Sequence, residues 1–213
     1  APEVLLGLCA LQPDQQQALQ AGIDQHAAQG YRMLALAREE GQAESRLQWL
    51  GMILLWDPPR QEVPDAIARA RAAGVRVLMI TGDHPATARA IADRIGLAPG
   101  KVVTGEQLAG ISAEQLTRLV TETSVFARVK PEHKLAIVQS LQGSGEVVAV
   151  TGDGVNDAPA LKAADVGVAM GQRGSDVSRE VADLVLLDDN FSTIVAAIEE
   201  GRSIYENIQK FIR

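Results

Sequence analysis

A single cysteine, Cys9, stands among 213 residues. An internal disulfide is therefore excluded, and a reducing compartment fits. Aromatic residues make up only 3% of the chain, which leaves the core to Ala, Val, Leu and Ile. The three histidines are scattered and show no metal-ligand spacing. No apolar run approaches the ~20 residues of a membrane-spanning helix. Basic residues are outnumbered, 20 against 27 acidic ones, and the net charge of −7 argues against a general nucleic-acid binder. The chain does not begin with Met, and its opening reads as the middle of something longer, so a fragment is expected. What is present is ordinary globular composition, 46% hydrophobic and 22% charged. That is enough for one sizeable domain, or one plus a smaller piece.

The chain divides by pattern. Pro13-Asp14 opens a helix running to about Gln29, with Gly30 as its stop. Leu19 and Ile23 give that helix an apolar stripe. Tyr31 to Ala37 reads as a strand, Arg38 to Ser45 as a polar turn, and Leu47 to Trp56 as a second strand. A helix followed by antiparallel strands suggests an α+β piece over residues 1–56, the tail of a larger domain. Asp57-Pro58-Pro59-Arg60 is a stiff link with two fixed φ angles, and it equally fits an ordinary loop. Beyond it, helices over Pro64–Ala73, Pro85–Ile95, Ser112–Val120 and Pro131–Leu141 alternate with strands over Val75–Ile80, Ser124–Ala127 and Val147–Val150. Strands over Val166–Ala169 and Leu184–Leu187 follow, separated by a helix from Asp176 to Ala182. Ser112 and Gln115 fit a capping box. The alternation argues for an α/β, doubly wound parallel sheet over residues 61–190. Phe191 to Arg213 reads as one long helix.

Three loops follow strand ends, where open α/β sheets bind ligands. Thr151-Gly152-Asp153-Gly154-Val155-Asn156-Asp157 follows an apolar run, Val147–Val150, that reads as a buried strand. Its glycines permit a sharp turn and close approach to a ligand. Asp153 and Asp157 supply two carboxylates near one point, unfavourable unless one is protonated or a cation lies between them. Mg2+ is the natural cation, since it takes hard oxygen ligands and is commonly shared with phosphates. A turn whose acids only cap the next helix is the alternative. Thr81-Gly82-Asp83 offers a hydroxyl and backbone N–H groups at a helix start, suited either to phosphate oxygens or to plain N-capping. Lys134 falls in the first turn of its helix, where a cation opposes the dipole. A nearby anion such as a phosphoryl group would explain it, as would a solvated surface position.

A hydroxyl, a lysine and a pair of acids, in that order along a doubly wound sheet, resemble the haloacid-dehalogenase-type phosphotransferase fold. Longer matches narrow the resemblance. Thr151-Gly152-Asp153-Gly154-Val155-Asn156-Asp157-Ala158-Pro159-Ala160-Leu161-Lys162 is similar to the hinge signature of P-type cation-transporting ATPases. So are Asp57-Pro58-Pro59-Arg60, Met79-Ile80-Thr81-Gly82-Asp83, Phe126-Ala127-Arg128-Val129 followed by Lys134, and Asp188-Asp189-Asn190-Phe191-Ser192-Thr193-Ile194-Val195. The linker and tail look most like the calcium-, proton- and sodium/potassium-type pumps.

The resemblance implies an ATP-driven cation pump using ATP and Mg2+. Asp153 would ligate Mg2+, and Asp157 and Asn156 would complete the phosphorylation site. Lys134 would neutralise the transferring phosphoryl group, with Thr81 and Gly82 on its oxygens. Arg32, Asp83 and Arg128 would hold the nucleotide. Ala1-Pro2-Glu3 looks like the end of the family's KGAPE motif. It also implies a domain plan: the C-terminal part of an α+β nucleotide-binding domain over 1–56, a hinge over 57–60, a phosphorylation domain over 61–190, and a stalk helix over 191–213 leading to a membrane span. The expected partners are ATP and the rest of the pump, namely its membrane helices, actuator domain and upstream nucleophile segment. The expected location is the cytoplasmic face of a membrane, the segment itself being soluble. The family's nucleophile is the Asp of an Asp-Lys-Thr-Gly-Thr motif, which does not occur in this sequence. A soluble phosphatase of the same fold and a non-catalytic nucleotide-binding module are the alternatives. The linker, Arg32 and the long last helix weigh against the first, and the missing motif favours the second.

Overall fold

The computed structural model describes residues 1–39, 47–97 and 100–212. Helices α1 (Pro2–Leu8) and α2 (Pro13–Ala28) precede an antiparallel hairpin of β1 (Arg32–Glu39) and β2 (Leu47–Leu55). Pro13 suits the first turn of α2, where its missing N–H costs nothing. Gly30, with φ of 90°, ends the helix in a conformation that an L side chain resists. Ile23 and Ala27 are buried against Leu6 and Met33, with Leu19 and Trp49 packed beside them. The turn expected over Arg38–Ser45 begins later than the sequence suggests. Arg38 and Glu39 extend β1, and Arg38 Nη2 donates to Gln48 Oε1 across the ladder at 2.6 Å. The remainder of that turn lies outside the described residues.

After the two-proline link come α3 (Val63–Ala72), β3 (Met79–Ile80), α4 (Pro85–Arg94), β4 (Val102–Thr104), α5 (Gly105–Leu108), α6 (Ala113–Glu122) and β5 (Val125–Ala127). Then follow α7 (Pro131–Gly143), β6 (Ala149–Gly152), a 3-10 turn at Val155–Asp157, α8 (Ala158–Ala163), β7 (Val166–Met170), α9 (Asp176–Val181), β8 (Leu184–Leu186) and α10 (Phe191–Ile212). The Ser112 cap is formed as expected. Gln115 N donates to Ser112 Oγ at 3.3 Å, and Ser112 N donates to Gln115 Oε1 at 2.9 Å. Helix α1, strand β4 and helix α5 were not anticipated, being of 7, 3 and 4 residues and too short for periodicity to reveal.

The strands form two parallel three-stranded sheets, ordered β3-β5-β4 and β6-β7-β8. Alternation along β5 explains the double winding. Val125 and Ala127 pack with Ile67 of α3 and Ala88 and Ala92 of α4. Phe126 packs instead with Val120 of α6 and Ile137 of α7. Helices therefore cover both faces, and the α/β, doubly wound class expected from the sequence is what the chain adopts. Full burial of a side chain such as Phe126 contributes about 1.5–3 kcal/mol.

Two strands differ from expectation, for a common reason. The strand expected over Val75–Ile80 pairs only over Met79–Ile80. Its partner β5 starts at Val125, shortly after α6 ends at Glu122, so earlier residues face a helix end. There Arg76 donates to the carbonyls of Val120 and Thr123. The strand expected over Val147–Val150 is displaced to Ala149–Gly152. Asp165 Oδ2 accepts Val148 N at 2.8 Å, and Asp165 N donates to Val148 O at 2.9 Å. Of this run only Val148 is buried, against Val138 and Ala160; Val147 is 84% exposed, Ala149 is exposed and Val150 is half-buried. Among the described residues β6 pairs with β7 alone and β3 with β5 alone, so each leaves one edge open.

Candidate functional site

Parallel strands send their following loops to one edge of a sheet, and the loops after β3 and β5 meet there. Arg128 N donates to Asp83 O at 3.1 Å and Val129 N to Thr81 O at 3.1 Å. Within the first loop Thr81 Oγ1 accepts Asp83 N at 3.1 Å and donates to Asp83 Oδ2 at 3.0 Å. The hydroxyl of Thr81 is thus turned into its own loop. Arg128 has φ of 52°, a left-handed conformation uncommon for a non-glycine residue. Gly105 makes room for it, because a Cβ there would overlap the carbonyl oxygen of Arg128. Arg32, at the start of β1, brings its Nε to 3.6 Å from Asp83 Oδ1 while 70% of its side chain remains exposed. Three of the residues proposed from the sequence, Thr81, Asp83 and Arg128, therefore share one hydrogen-bonded unit, with Arg32 at its margin.

The second loop continues into α7 and reaches the third. Lys134 Nζ lies 2.5 Å from Asp157 Oδ1, the two side chains being 20% and 13% exposed. Asp157 Oδ2 accepts Gly154 N at 3.1 Å. The anion that offsets the position of Lys134 near the helix N-terminus is thus Asp157. This separates the roles of the two acids. Asp157 already has a cation of its own, while Asp153 is exposed. The backbone of Asp153 is fixed from behind, its carbonyl accepting Ser175 N at 2.8 Å and the hydroxyl of the buried Ser178 at 3.2 Å. Gly152 is required for the crossing, as a Cβ there would stand 2.5 Å from Asp157 Cβ. Gly82 is part of the first loop and meets no such obstacle. Asn156 is exposed in the 3-10 turn.

Among the described residues no three acidic, His or Cys side chains gather as a metal cage. The donor set instead fits Mg2+, which is commonly held by one or two carboxylates and completed by water and phosphate oxygens. Asp153 is the exposed carboxylate at the right loop.

Sequence reasoning missed the partners of these groups. Glu3 Oε2 lies 2.8 Å from Arg128 Nη2, and Glu3 Oε1 lies 3.3 Å from His84 Nε2. No local signal could have joined residues so distant in sequence. Asp189 is buried with φ of 50°, and it accepts Gln172 N at 3.0 Å and Arg173 N at 2.8 Å. Those backbone donors, Gln172 first, hold its carboxyl below the usual range. The run Asp188-Asp189-Asn190 was visible in the sequence, but not its role in closing the loop before α9.

The haloacid dehalogenase-like hydrolase family matches residues 10–165, most of the chain and all three loops. The chain belongs to this family. It is 48% identical to a calcium-transporting ATPase of Bacillus subtilis, across 100% of this chain and 26% of that protein. It is 51% identical to the human calcium-transporting ATPase type 2C member 1, across 86% of this chain and 20% of that protein. It is 44% identical to the probable cation-transporting ATPase F of Mycobacterium tuberculosis, across 100% of this chain and 26% of that protein. The chain thus spans about a fifth to a quarter of the length of these relatives.

Proposed function

We propose that this haloacid dehalogenase-like chain is a cytoplasmic segment of a P-type cation-transporting ATPase, the part that binds Mg·ATP and surrounds the phosphorylated Asp, which itself lies elsewhere in the pump. The observation that carries the reading is the Lys134–Asp157 pair at 2.5 Å, set beside the exposed Asp153 in a chain matched along its length by calcium-transporting ATPases. Residues 1–56 are the end of the nucleotide-binding domain, 57–60 the hinge, 61–190 the phosphorylation domain and 191–213 the stalk. Among the described residues no helix is long and apolar enough to cross a membrane. The membrane spans, the actuator domain and the nucleophile would belong to the rest of the pump.

The open edges of β3 and β6 support this reading. A parallel strand laid between them would join the two sheets, and a carboxylate at its C-terminal end would stand beside Thr81, Lys134 and Asp153. Lys134 there gathers charge on the phosphoryl oxygens, held at the required height by Asp157. Gly82 offers an N–H to the same oxygens, and the Thr81 hydroxyl joins it by turning away from Asp83 Oδ2. Arg32, Asp83 and Arg128 orient the nucleotide, and Asn156 borders the transferring group. Asp153 would hold Mg2+, which would supply positive charge to the phosphoryl group. In the intact pump Asp153→Asn abolishes Mg2+-dependent labelling by γ-labelled ATP, and labelling equal to the wild type would remove Asp153 from the metal site.

A further inference from the structure

We propose that Glu3 is a positioning residue for the loops that follow β3 and β5. Its bearing on nucleotide rests on the function proposed above; its contacts do not. One carboxylate spans both loops. Oε2 lies 2.8 Å from Arg128 Nη2, beyond β5, and Oε1 lies 3.3 Å from His84 Nε2, beyond β3. The tautomer of His84 follows from its other nitrogen. Nδ1 accepts Ala86 N at 3.2 Å as the cap of α4, so the proton of the neutral ring sits on Nε2, facing Glu3. Glu3 Oε1 is buried without a hydrogen bond among the described residues. A buried carboxylate oxygen is costly unless a positive or donor group stands against it, and the imidazole is placed to do so.

Arg128 is the residue that most needs holding. Its left-handed backbone is strained for a side chain of its size. It is retained by its N–H bond to Asp83, by the room Gly105 leaves, and by Glu3 on its guanidinium. Without the carboxylate, the guanidinium swings free and the backbone relaxes toward a commoner conformation. That relaxation pulls Arg128 N from Asp83 O and Val129 N from Thr81 O. Glu3 reaches these loops from α1, so the first turn of that helix sets the geometry of loops whose contacting residues, His84 and Arg128, lie 81 and 125 residues further on.

The test is Glu3→Gln in this chain, which keeps the shape and removes the charge. Site-resolved amide exchange is expected to quicken about tenfold at Arg128 and Val129, the loss of one charge-assisted hydrogen bond. Thr81 N–H, bonded to Phe126 O inside the sheet at 2.9 Å, keeps its protection, which separates loop positioning from general loosening. Glu3→Asp restores part of the protection. Unchanged exchange at Arg128 and Val129 in folded Glu3→Gln overturns the proposal. A second measurement needs no variant: NMR of the wild-type guanidinium groups shows restricted rotation at Arg128, and free rotation there overturns it equally. Titration with Mg·ATP then weakens severalfold in Glu3→Gln, and loosened loops with unaltered affinity would overturn the positioning role. Absence of Mg·ATP binding by the wild type counts against the pump reading alone, and the exchange data still decide the role of Glu3.

Discussion

In the sheet β3-β5-β4 the middle strand is buried at all three positions, with α3 and α4 on one face and α6 and α7 on the other. In the sheet β6-β7-β8 the middle strand is buried over Gly167–Ala169, but β6 alternates exposed and half-buried positions, and Leu184 and Val185 of β8 are exposed. Composition does not account for the contrast. Val147-Val148-Ala149-Val150 is as apolar as Val125-Phe126-Ala127. Burial of a strand is conferred by what packs on it and beside it, and the second sheet has fewer such neighbours within this chain. The ion pairs follow a different order. Arg32–Asp83, beside the first sheet, is 3.6 Å apart and open to water, whereas Lys134–Asp157, beside the second, is 2.5 Å apart and largely enclosed.

The contrast can be broken most completely by supplying the missing neighbour. On the proposed function, the chain alone is expected to take no phosphoryl label from γ-labelled ATP and Mg2+, since the Asp-Lys-Thr-Gly-Thr motif whose carboxylate would attack phosphorus in line does not occur in it. A separate polypeptide carrying an Asp-Lys-Thr-Gly-Thr strand is expected to restore acid-stable, hydroxylamine-labile label on that polypeptide and to protect the amides of β6. Stoichiometric label on this chain by itself would defeat the expectation.

Core truncation sharpens the contrast next. Phe126→Ala is expected to cost about 3–5 kcal/mol. Val150→Ala, in the half-buried β6, is expected to cost about 1 kcal/mol or less, as is usual away from a filled core. Urea unfolding of the two variants checks the ratio, and equal losses would mean that both sheets are equally filled. The ion pairs give a third measurement. Arg32→Ala is expected to lower Mg·ATP affinity about ten- to hundredfold in the intact nucleotide domain. It should leave stability within about 0.5 kcal/mol, because so exposed a pair contributes little. Titration calorimetry and thermal unfolding separate the two effects, and a grossly unfolded variant would count against the assignment.

The smallest expected effect concerns pH at the far end of the second sheet. Backbone N–H groups of Gln172 and Arg173 hold the Asp189 carboxyl below its ordinary value of 3.8. A carboxyl depressed on folding stabilises the protein above its unfolded value and loses that contribution as pH falls through the folded one. Acid titration of stability should therefore steepen below pH 3.8 in the wild type and be shallower in Asp189→Asn. Parallel curves would show that these donors do not favour the charged form.

The elements legible in the sequence were those whose signals are local. Pro13, Gly30 and the Ser112–Gln115 box marked helix ends because caps and stops act within a few residues. Strand limits were misread at β3 and β6 because the end of a ladder is fixed by the partner strand and not by the apolar run. The site divided in the same way. Lys134 and Asp157 were each singled out by loop chemistry, but a sequence carries no distance between them, so both were directed toward a phosphate and not toward each other. Glu3 was noticed only as part of a motif resemblance, and its two contacts were missed because both partners come from the other side of the link.

Among the described residues the contacts of helix α10 lie from Phe191 to Arg202. Val195 is buried against Ala66 and Ala70 of α3, Arg69 Nη2 pairs with Glu199 Oε2 at 2.5 Å, and Arg202 donates to the carbonyl of Ala73. From Gly201 onward the helix is exposed, with Ile204, Tyr205, Ile208 and Phe211 along it. It is therefore a lever with its fulcrum on α3 and an exposed arm of about 15 Å. A tilt of α3 by a few degrees, as the loops at the sheet edge take up or release a ligand, would be magnified along that arm into a displacement of its tip by about 1 Å.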